Sequence, residues 1–88
     1  MKLSELTQGV AVTKISGNTE INIEKICYDS RKVTKNALFV CIVGFETDGH
    51  RYIEKAIISG ASAIAVQNGS DLPEIPGNIT VLYFDDTR

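Results

Sequence analysis

The chain has 88 residues, of which 43% are hydrophobic and 23% are charged, and its net charge is −2 at neutral pH. This length suits one compact domain that hides roughly 60 to 65% of the surface of its unfolded chain. The composition excludes collagen-like, coiled-coil and disordered classes, and the net charge excludes attraction of the whole molecule to nucleic acid or to an anionic membrane.

No apolar run approaches the roughly 18 residues of a membrane span, and the first residues lack the apolar core of a signal peptide. We therefore expect a soluble, cytoplasmic protein.

The first third of the chain predicts a helical turn followed by two strands. Residues 4–8, closed by a glycine, favour one helical turn. Residues 10–15 read as a strand that ends at the turn cluster "SGN". A second strand is predicted over residues 21–28, with a slip of register at Glu24 and Lys25. Since a turn cluster joins these strands, we expect them to pair as a hairpin.

The middle of the chain predicts a strand, a helix and a strand in succession. Residues 37–43, "ALFVCIV", are apolar throughout, which is typical of a strand covered on both faces. Asp48 offers an N-cap, apolar residues recur on one helical face over 52–57, and Gly60 offers a stop. The small apolar residues 61–66 then predict the second strand of a crossover unit.

The last segment predicts a surface loop over 67–78, which is rich in Gly and Pro, and a strand over 79–84. The predicted fold class is therefore α/β: a small domain of two or three layers with a mixed sheet of about five strands. We take residues 1–84 as the domain and residues 85–88 as the beginning of a linker.

A polar cluster, Asp29-Ser30-Arg31, lies where the second strand is predicted to end. One interpretation is a turn braced by a bond from Asp29 to Arg31 or to backbone. The other is an anion site, in which Ser30 offers its hydroxyl to a phosphate oxygen and Arg31 makes a two-pronged contact. Lys32 and Lys35 add positive charge to this segment, but a solvated loop would show the same pattern of cations.

A second cluster, residues 44–50 or "GFETDGH", lies between the apolar strand and the helix, where α/β sheets commonly build ligand sites. A capped loop with flexible glycines explains the same pattern. His50 is the only histidine, and no cysteine or serine near it suggests a catalytic pair, so a structural or hydrogen-bonding role is favoured.

Other candidate chemistry is weak. Cys27 and Cys41 each lie in an apolar run without metal-ligand spacing and are expected to be buried thiols. The neighbouring carboxylates Asp85 and Asp86 would point to opposite faces of a strand. No Walker loop, dinucleotide fingerprint or metal motif occurs. The residues alone thus indicate a small anion-binding or nucleotide-binding module that performs no bond-making step.

Taken together, "YDSRKV", "LFVCIVG", "TDGHRYIEKAI" and "SGASAIAV" resemble the N-terminal domain of the Mur ligases of peptidoglycan synthesis. The resemblance is continuous over about residues 20–66. It is greatest to the MurE-type members, which add a diamino acid to UDP-N-acetylmuramoyl-L-alanyl-D-glutamate.

The resemblance implies that this domain binds the uridine diphosphate of the UDP-N-acetylmuramoyl-dipeptide substrate. It also implies that ATP and Mg²⁺ bind the central and C-terminal domains of the full-length enzyme, which forms an amide bond. The fragment itself would hold no cofactor, no metal and no catalytic residue.

Carried onto this sequence, the family pattern makes Ser30 the hydroxyl that contacts the diphosphate. Tyr28 takes the position whose backbone meets uracil or ribose. Asp29 and Arg31 then brace Ser30.

The second nucleotide-contacting segment of the family falls here on Phe45, Glu46 and Thr47. This segment varies among relatives, and Glu46 beside a diphosphate is unfavourable unless it faces ribose hydroxyls. The family's glycine before the apolar strand is replaced by Asn36, which also accepts left-handed backbone.

Two other interpretations stay open. The D-alanyl-D-alanine-adding (MurF-type) ligases have a similar first domain, and the sequence of the remaining domains separates the two types. A non-enzymatic interaction or regulatory domain of the same fold would bind no nucleotide.

Overall fold

The computed structural model describes residues 1–42 and 49–85. Within these residues there are two α-helices and five strands, in the order α1 Leu3–Leu6, β1 Val12–Ser16, β2 Lys25–Cys27, β3 Ala37–Val40, α2 Ile53–Ile58, β4 Ala63–Gln67 and β5 Thr80–Phe84. Two short 3-10 helices complete it: the Ser30 turn, Ser30–Lys32, and the His50 turn, Gly49–Tyr52.

The five strands form one mixed sheet in the order β1-β5-β4-β3-β2. Strands β2, β3, β4 and β5 run parallel to one another, whereas β1 runs antiparallel to β5. The predicted α/β class and mixed five-stranded sheet are confirmed. The predicted hairpin of β1 and β2 is wrong, because these strands lie at opposite edges of the sheet.

The second strand is shorter than predicted because residues 19–23 pair with the N-terminal segment instead of with the sheet. The amide of Leu3 donates to the carbonyl of Ile21 (2.9 Å), and the amide of Ile23 donates to the carbonyl of Met1 (2.7 Å). Pairing with β3 begins at Lys25, opposite Ala37. The break thus falls where the sequence predicted a slip of register.

The crossover unit β3-α2-β4 is present, with β3 and β4 parallel and directly paired. Its helix ends at Ile58, and Gly60 follows with φ +114°, a conformation that side chains rarely adopt. Asn36 has φ 64° in the turn before β3, which confirms the left-handed backbone predicted for it. The predicted N-cap, Asp48, lies outside the described residues.

The sheet separates two hydrophobic cores. The larger lies under α2 and contains, among others, Phe39, Cys41, Ile53, Ile64 and Val81. The smaller lies under α1 and contains Leu3, Ile23, Leu38, Ala63, Ala65 and Leu82. Of the described helices, none combines the length and apolar character needed to cross a membrane.

Four parallel strands end at the same side of the sheet, which we call the carboxyl edge. Because β2 and β3 are neighbours, the segments that follow them, including the Ser30 turn, start side by side at this edge.

Candidate functional site

The Asp29-Ser30-Arg31 cluster forms a capped 3-10 turn immediately after β2. Asp29 has extended backbone (φ −116°, ψ 118°), and its carboxylate accepts the amide N–H of Arg31 at 2.9 Å. An aspartate in this position satisfies an amide that a helix start would leave unpaired. The turn predicted from the sequence is therefore present, and it places Ser30 at the carboxyl edge.

Asp29 and Arg31 also form a two-pronged ion pair. The guanidinium donates from Nε to Oδ1 (3.1 Å) and from Nη2 to Oδ2 (2.8 Å) of Asp29. Two hydrogen bonds from Arg31 lower the pKa of Asp29 from 3.8 to about 2, and the bond from its side chain has a larger effect than the bond from its backbone N–H. The same pairing raises the pKa of Arg31. The predicted bond between the two is observed, while its role in supporting a ligand stays a prediction.

Ser30 is buried, with 5% of its surface exposed. Its carbonyl accepts a long bond from the amide of Val33 (3.4 Å). Within residues 1–42 and 49–85 its hydroxyl meets no hydrogen-bond partner. A buried hydroxyl at the end of a parallel strand is thus available to a ligand that accepts a hydrogen bond.

Positive charge lies within this turn, in β2 and in the segment before β3. Arg31, Lys32 and Lys35 are exposed, as the sequence predicted for a basic segment. Lys25, in β2, adds a fourth cation and donates from Nζ to the carbonyl of Lys32 (3.0 Å). The edge formed by β2 is therefore locally basic in a chain of net negative charge.

Tyr28 extends from the end of β2 on the α1 side and is 66% exposed. Its side chain lines an apolar groove of about 320 Å³, which we call the α1 groove. The groove is lined by Leu6, Thr7, Val10, Ile26, Tyr28, Leu38, Val40, Ala65, Leu82 and Phe84. The groove was not foreseen, because it depends on how little of the sheet α1 covers.

The second predicted segment, Phe45, Glu46 and Thr47, lies outside the described residues. His50, which follows it, is buried, and its Nε2 accepts the amide N–H of Gln67 at 3.0 Å. An imidazole nitrogen that accepts a hydrogen bond carries no proton. His50 therefore joins the His50 turn to the end of β4, which agrees with the hydrogen-bonding role predicted from the sequence.

A polar cluster that the sequence did not reveal joins three strands at the carboxyl edge. The Asn68 amide donates to Oγ1 of Thr13 (2.7 Å) and to Oδ1 of Asp85 (2.9 Å). These residues are far apart in sequence and meet only because β5 lies between β1 and β4. Predicting this cluster would have required the strand order, which no local sequence pattern encodes.

Cys27 and Cys41 are buried thiols, as predicted. The Cys27 thiol makes a weak contact with the carbonyl of Lys32 at 3.6 Å. No three histidine, cysteine or acidic side chains of the described ranges lie close enough together to hold a metal ion.

Comparison with known proteins matches this chain to one family. The family model described as "Mur ligase family, catalytic domain" matches residues 22–84. The UDP-N-acetylmuramoyl-L-alanyl-D-glutamate--2,6-diaminopimelate ligase of Alkaliphilus metalliredigens is 49% identical over the whole chain. The ligase of the same name from Clostridioides difficile is 51% identical over 76% of the chain.

Among solved structures, MurF from Acinetobacter baumannii superposes with a TM-score of 0.77 over 98% of the chain, at 19% identity. It therefore supports the fold. The chain spans 17% and 14% of the two curated relatives and 18% of the MurF chain. Since the family match covers more than half of the sequence and agrees with the observed fold, the chain belongs to the Mur ligase family.

Proposed function

We propose that residues 1–84 form the nucleotide-binding domain of a MurE-type Mur ligase and that residues 85–88 begin the link to its ATP-binding domain. The full-length enzyme would act in the cytoplasm and add a diamino acid to the D-glutamyl residue of UDP-N-acetylmuramoyl-L-alanyl-D-glutamate. The names of the relatives favour 2,6-diaminopimelate over lysine.

The Ser30 hydroxyl is the observation that carries this proposal. It is buried, it meets no partner among the described residues, and the turn that holds it is fixed by the pair of Asp29 and Arg31. A diphosphate oxygen would accept a charge-assisted hydrogen bond from this hydroxyl. The exposed cations of the turn itself, Arg31 and Lys32, would attract the negatively charged nucleotide.

The other predicted contacts complete the proposed site. The backbone of Tyr28 would meet the uracil or ribose. Phe45, Glu46 and Thr47, which lie outside the described residues, follow β3 in the sequence and would supply the second nucleotide contact. Glu46 would face ribose hydroxyls, because a carboxylate is repelled by a diphosphate.

ATP and Mg²⁺ would bind elsewhere in the full-length protein. The described residues contain no cluster that fits a metal ion, and the sequence has no Walker loop. We therefore assign no bond-making step to this chain. Its contribution would be positioning: a substrate held by its nucleotide end presents its peptide end to the reacting groups of the other domains.

The MurF-type alternative rests on the solved structures, whose identity of 19% supports the fold alone. The curated relatives of MurE type are much closer in sequence, at 49% and 51% identity. A non-enzymatic domain of this fold would not respond to UDP. Titration of the isotopically labelled protein with UDP, followed by NMR, tests this alternative.

If the site is correct, amide shifts will concentrate in residues 28–31 and 44–50. Shifts confined to other residues would contradict it.

Ser30→Ala in the full-length enzyme should raise KM for the nucleotide substrate about tenfold or more, because a hydrogen bond to a charged group contributes roughly 1.5 to 3 kcal/mol. Steady-state kinetics at varied nucleotide concentration measures this effect. Ser59→Ala is the matched control, since Ser59 is exposed at the end of α2. Equal KM values for the two variants would refute the role of Ser30.

A further inference from the structure

The α1 groove exists because α1 covers only part of its face of the sheet. The helix has four residues, and Leu3 is its buried residue. The groove remains open beside it and extends across the face from Ile26 in β2 to Phe84 in β5. On the opposite face, α2 packs on the larger core, and a second cavity of about 270 Å³ is lined mainly by the loop between β4 and β5.

The lining of the α1 groove favours an apolar occupant. Of its ten lining residues, only Thr7 and Tyr28 carry polar side-chain atoms, and none is charged. A nucleoside diphosphate needs several donors and positive charge, which the Ser30 turn offers and this groove does not. Apolar side chains of a polypeptide match it better.

Exposed apolar side chains concentrate at the groove. The described residues include seven large hydrophobic residues with exposed surfaces. Three of them line the groove: Val10 at 48%, Ile26 at 45% and Tyr28 at 66% exposure. Because these three line one groove, their exposure is grouped rather than scattered, which favours an interaction surface.

The course of the chain shows which polypeptide is near. Phe84 lines the groove, and the next residue, Asp85, is held at the carboxyl edge by the bond from Asn68. The chain thus leaves β5 directly beside the groove. The relative from Alkaliphilus metalliredigens, which aligns with the whole chain, is far longer, since the chain spans 17% of it.

We propose that, in the full-length protein, the polypeptide that continues beyond residue 88 packs an apolar segment into the α1 groove and so docks this domain on its neighbour. The inference rests on the proposed function, because it requires this chain to be one domain of a larger ligase. It assigns a surface for domain docking that is separate from the Ser30 turn.

The test measures how fast single cysteines in the full-length protein react with iodoacetamide, without nucleotide, by peptide mass spectrometry. Val10→Cys and Ile26→Cys report on the groove. Ile58→Cys is the control, because Ile58 is 86% exposed on α2 at the opposite face. Cys27 and Cys41 are buried and give a slow background.

We expect both groove cysteines to react at least about tenfold more slowly than the control, as protected sites do. Rates equal to the control would overturn the proposal. The labelling is repeated with UDP and at lower protein concentration. If the groove cysteines are protected only when UDP is present, the groove is a nucleotide site and the proposal is wrong. If their protection is lost when the protein is diluted, a second copy of the protein covers the groove and the proposal is wrong.

Hydroxyl-radical footprinting of the unmodified full-length protein repeats the test without a substitution. Tyr28 should oxidise more slowly than Tyr52, although it is the more exposed of the two in this chain. Faster oxidation of Tyr28 would contradict the proposal. Neither measurement depends on Ser30, so a failure of groove protection and a failure of nucleotide binding are distinguished.

Discussion

The Ser30 turn combines two interpretations that seemed to compete. The bond from Arg31 to Asp29 is the turn brace, and the buried Ser30 hydroxyl is the group that a ligand would use. The sequence predicted the bond, which is observed, and a ligand contact for Ser30, which stays a prediction. It did not predict that Ser30 is buried, because burial depends on how the turn packs against the rest of the fold.

Asp29→Asn should reduce stability at neutral pH but not in strong acid. The folded-state pKa of Asp29 is depressed from 3.8 to about 2, chiefly by the Arg31 side chain. Its contribution is therefore fully present above pH 3.8 and is lost as pH falls through about 2. Urea unfolding of both proteins at a series of pH values measures the difference.

Asp71→Asn is the control for this prediction, since Asp71 is exposed in the loop between β4 and β5. That variant should follow the parent protein at every pH. A stability difference for Asp29→Asn that persists unchanged to the lowest pH would show that the ion pair is not its cause.

At the scale of elements, the crossover unit was predictable and the strand order was not. The apolar run 37–43, the helical spacing of apolar residues over 52–57 and the small apolar residues 61–66 are local patterns. They predicted β3, α2 and β4. The hairpin prediction failed because a turn cluster after β1 shows only that the chain turns. It cannot show that Leu82 of β5 lies opposite Ile15, or that residues 19–23 pair with the N-terminal segment.

Gly60→Ala should destabilise the protein strongly because two costs combine. Its φ of +114° costs a side-chain-bearing residue roughly 1 to 3 kcal/mol. A Cβ there would also lie 2.9 Å from the Cα of Lys35, in the backbone before β3. The variant should therefore lower the free energy of unfolding, measured in urea, by more than the backbone cost alone.

Gly69→Ala separates the two costs, since Gly69 has φ +83° but no atom within 4 Å of the added Cβ. We expect it to be clearly the milder variant. Equal losses for both would mean that the close approach to Lys35 contributes nothing.

For the molecule as a whole, the two cores on either side of the sheet should unfold together. Phe39→Ala removes a fully buried ring from the larger core and should cost about 3 to 5 kcal/mol, while Leu3→Ala in the smaller core should cost about 2 to 5. The total free energy of unfolding of a chain of this length is roughly 4 to 13 kcal/mol. Chemical denaturation should show one transition for each variant.

Ile58→Ala is the control for both variants, because Ile58 is largely exposed, and it should change stability by no more than about 0.5 kcal/mol. If Leu3→Ala were equally harmless, α1 would not belong to the cooperative unit.

The strand order also governs how the domain forms during synthesis. Among the described strands β1 pairs with β5 alone, and the hydroxyl of Thr13 donates to the carbonyl of Tyr83, 70 residues further along the chain. At about 5 to 20 residues per second, a ribosome needs on the order of 4 to 14 s to make that partner. During this interval the nascent β1 cannot pair, because β5 has not yet been synthesised. Its polar residues, Lys14 among them, then protect it from pairing with other chains.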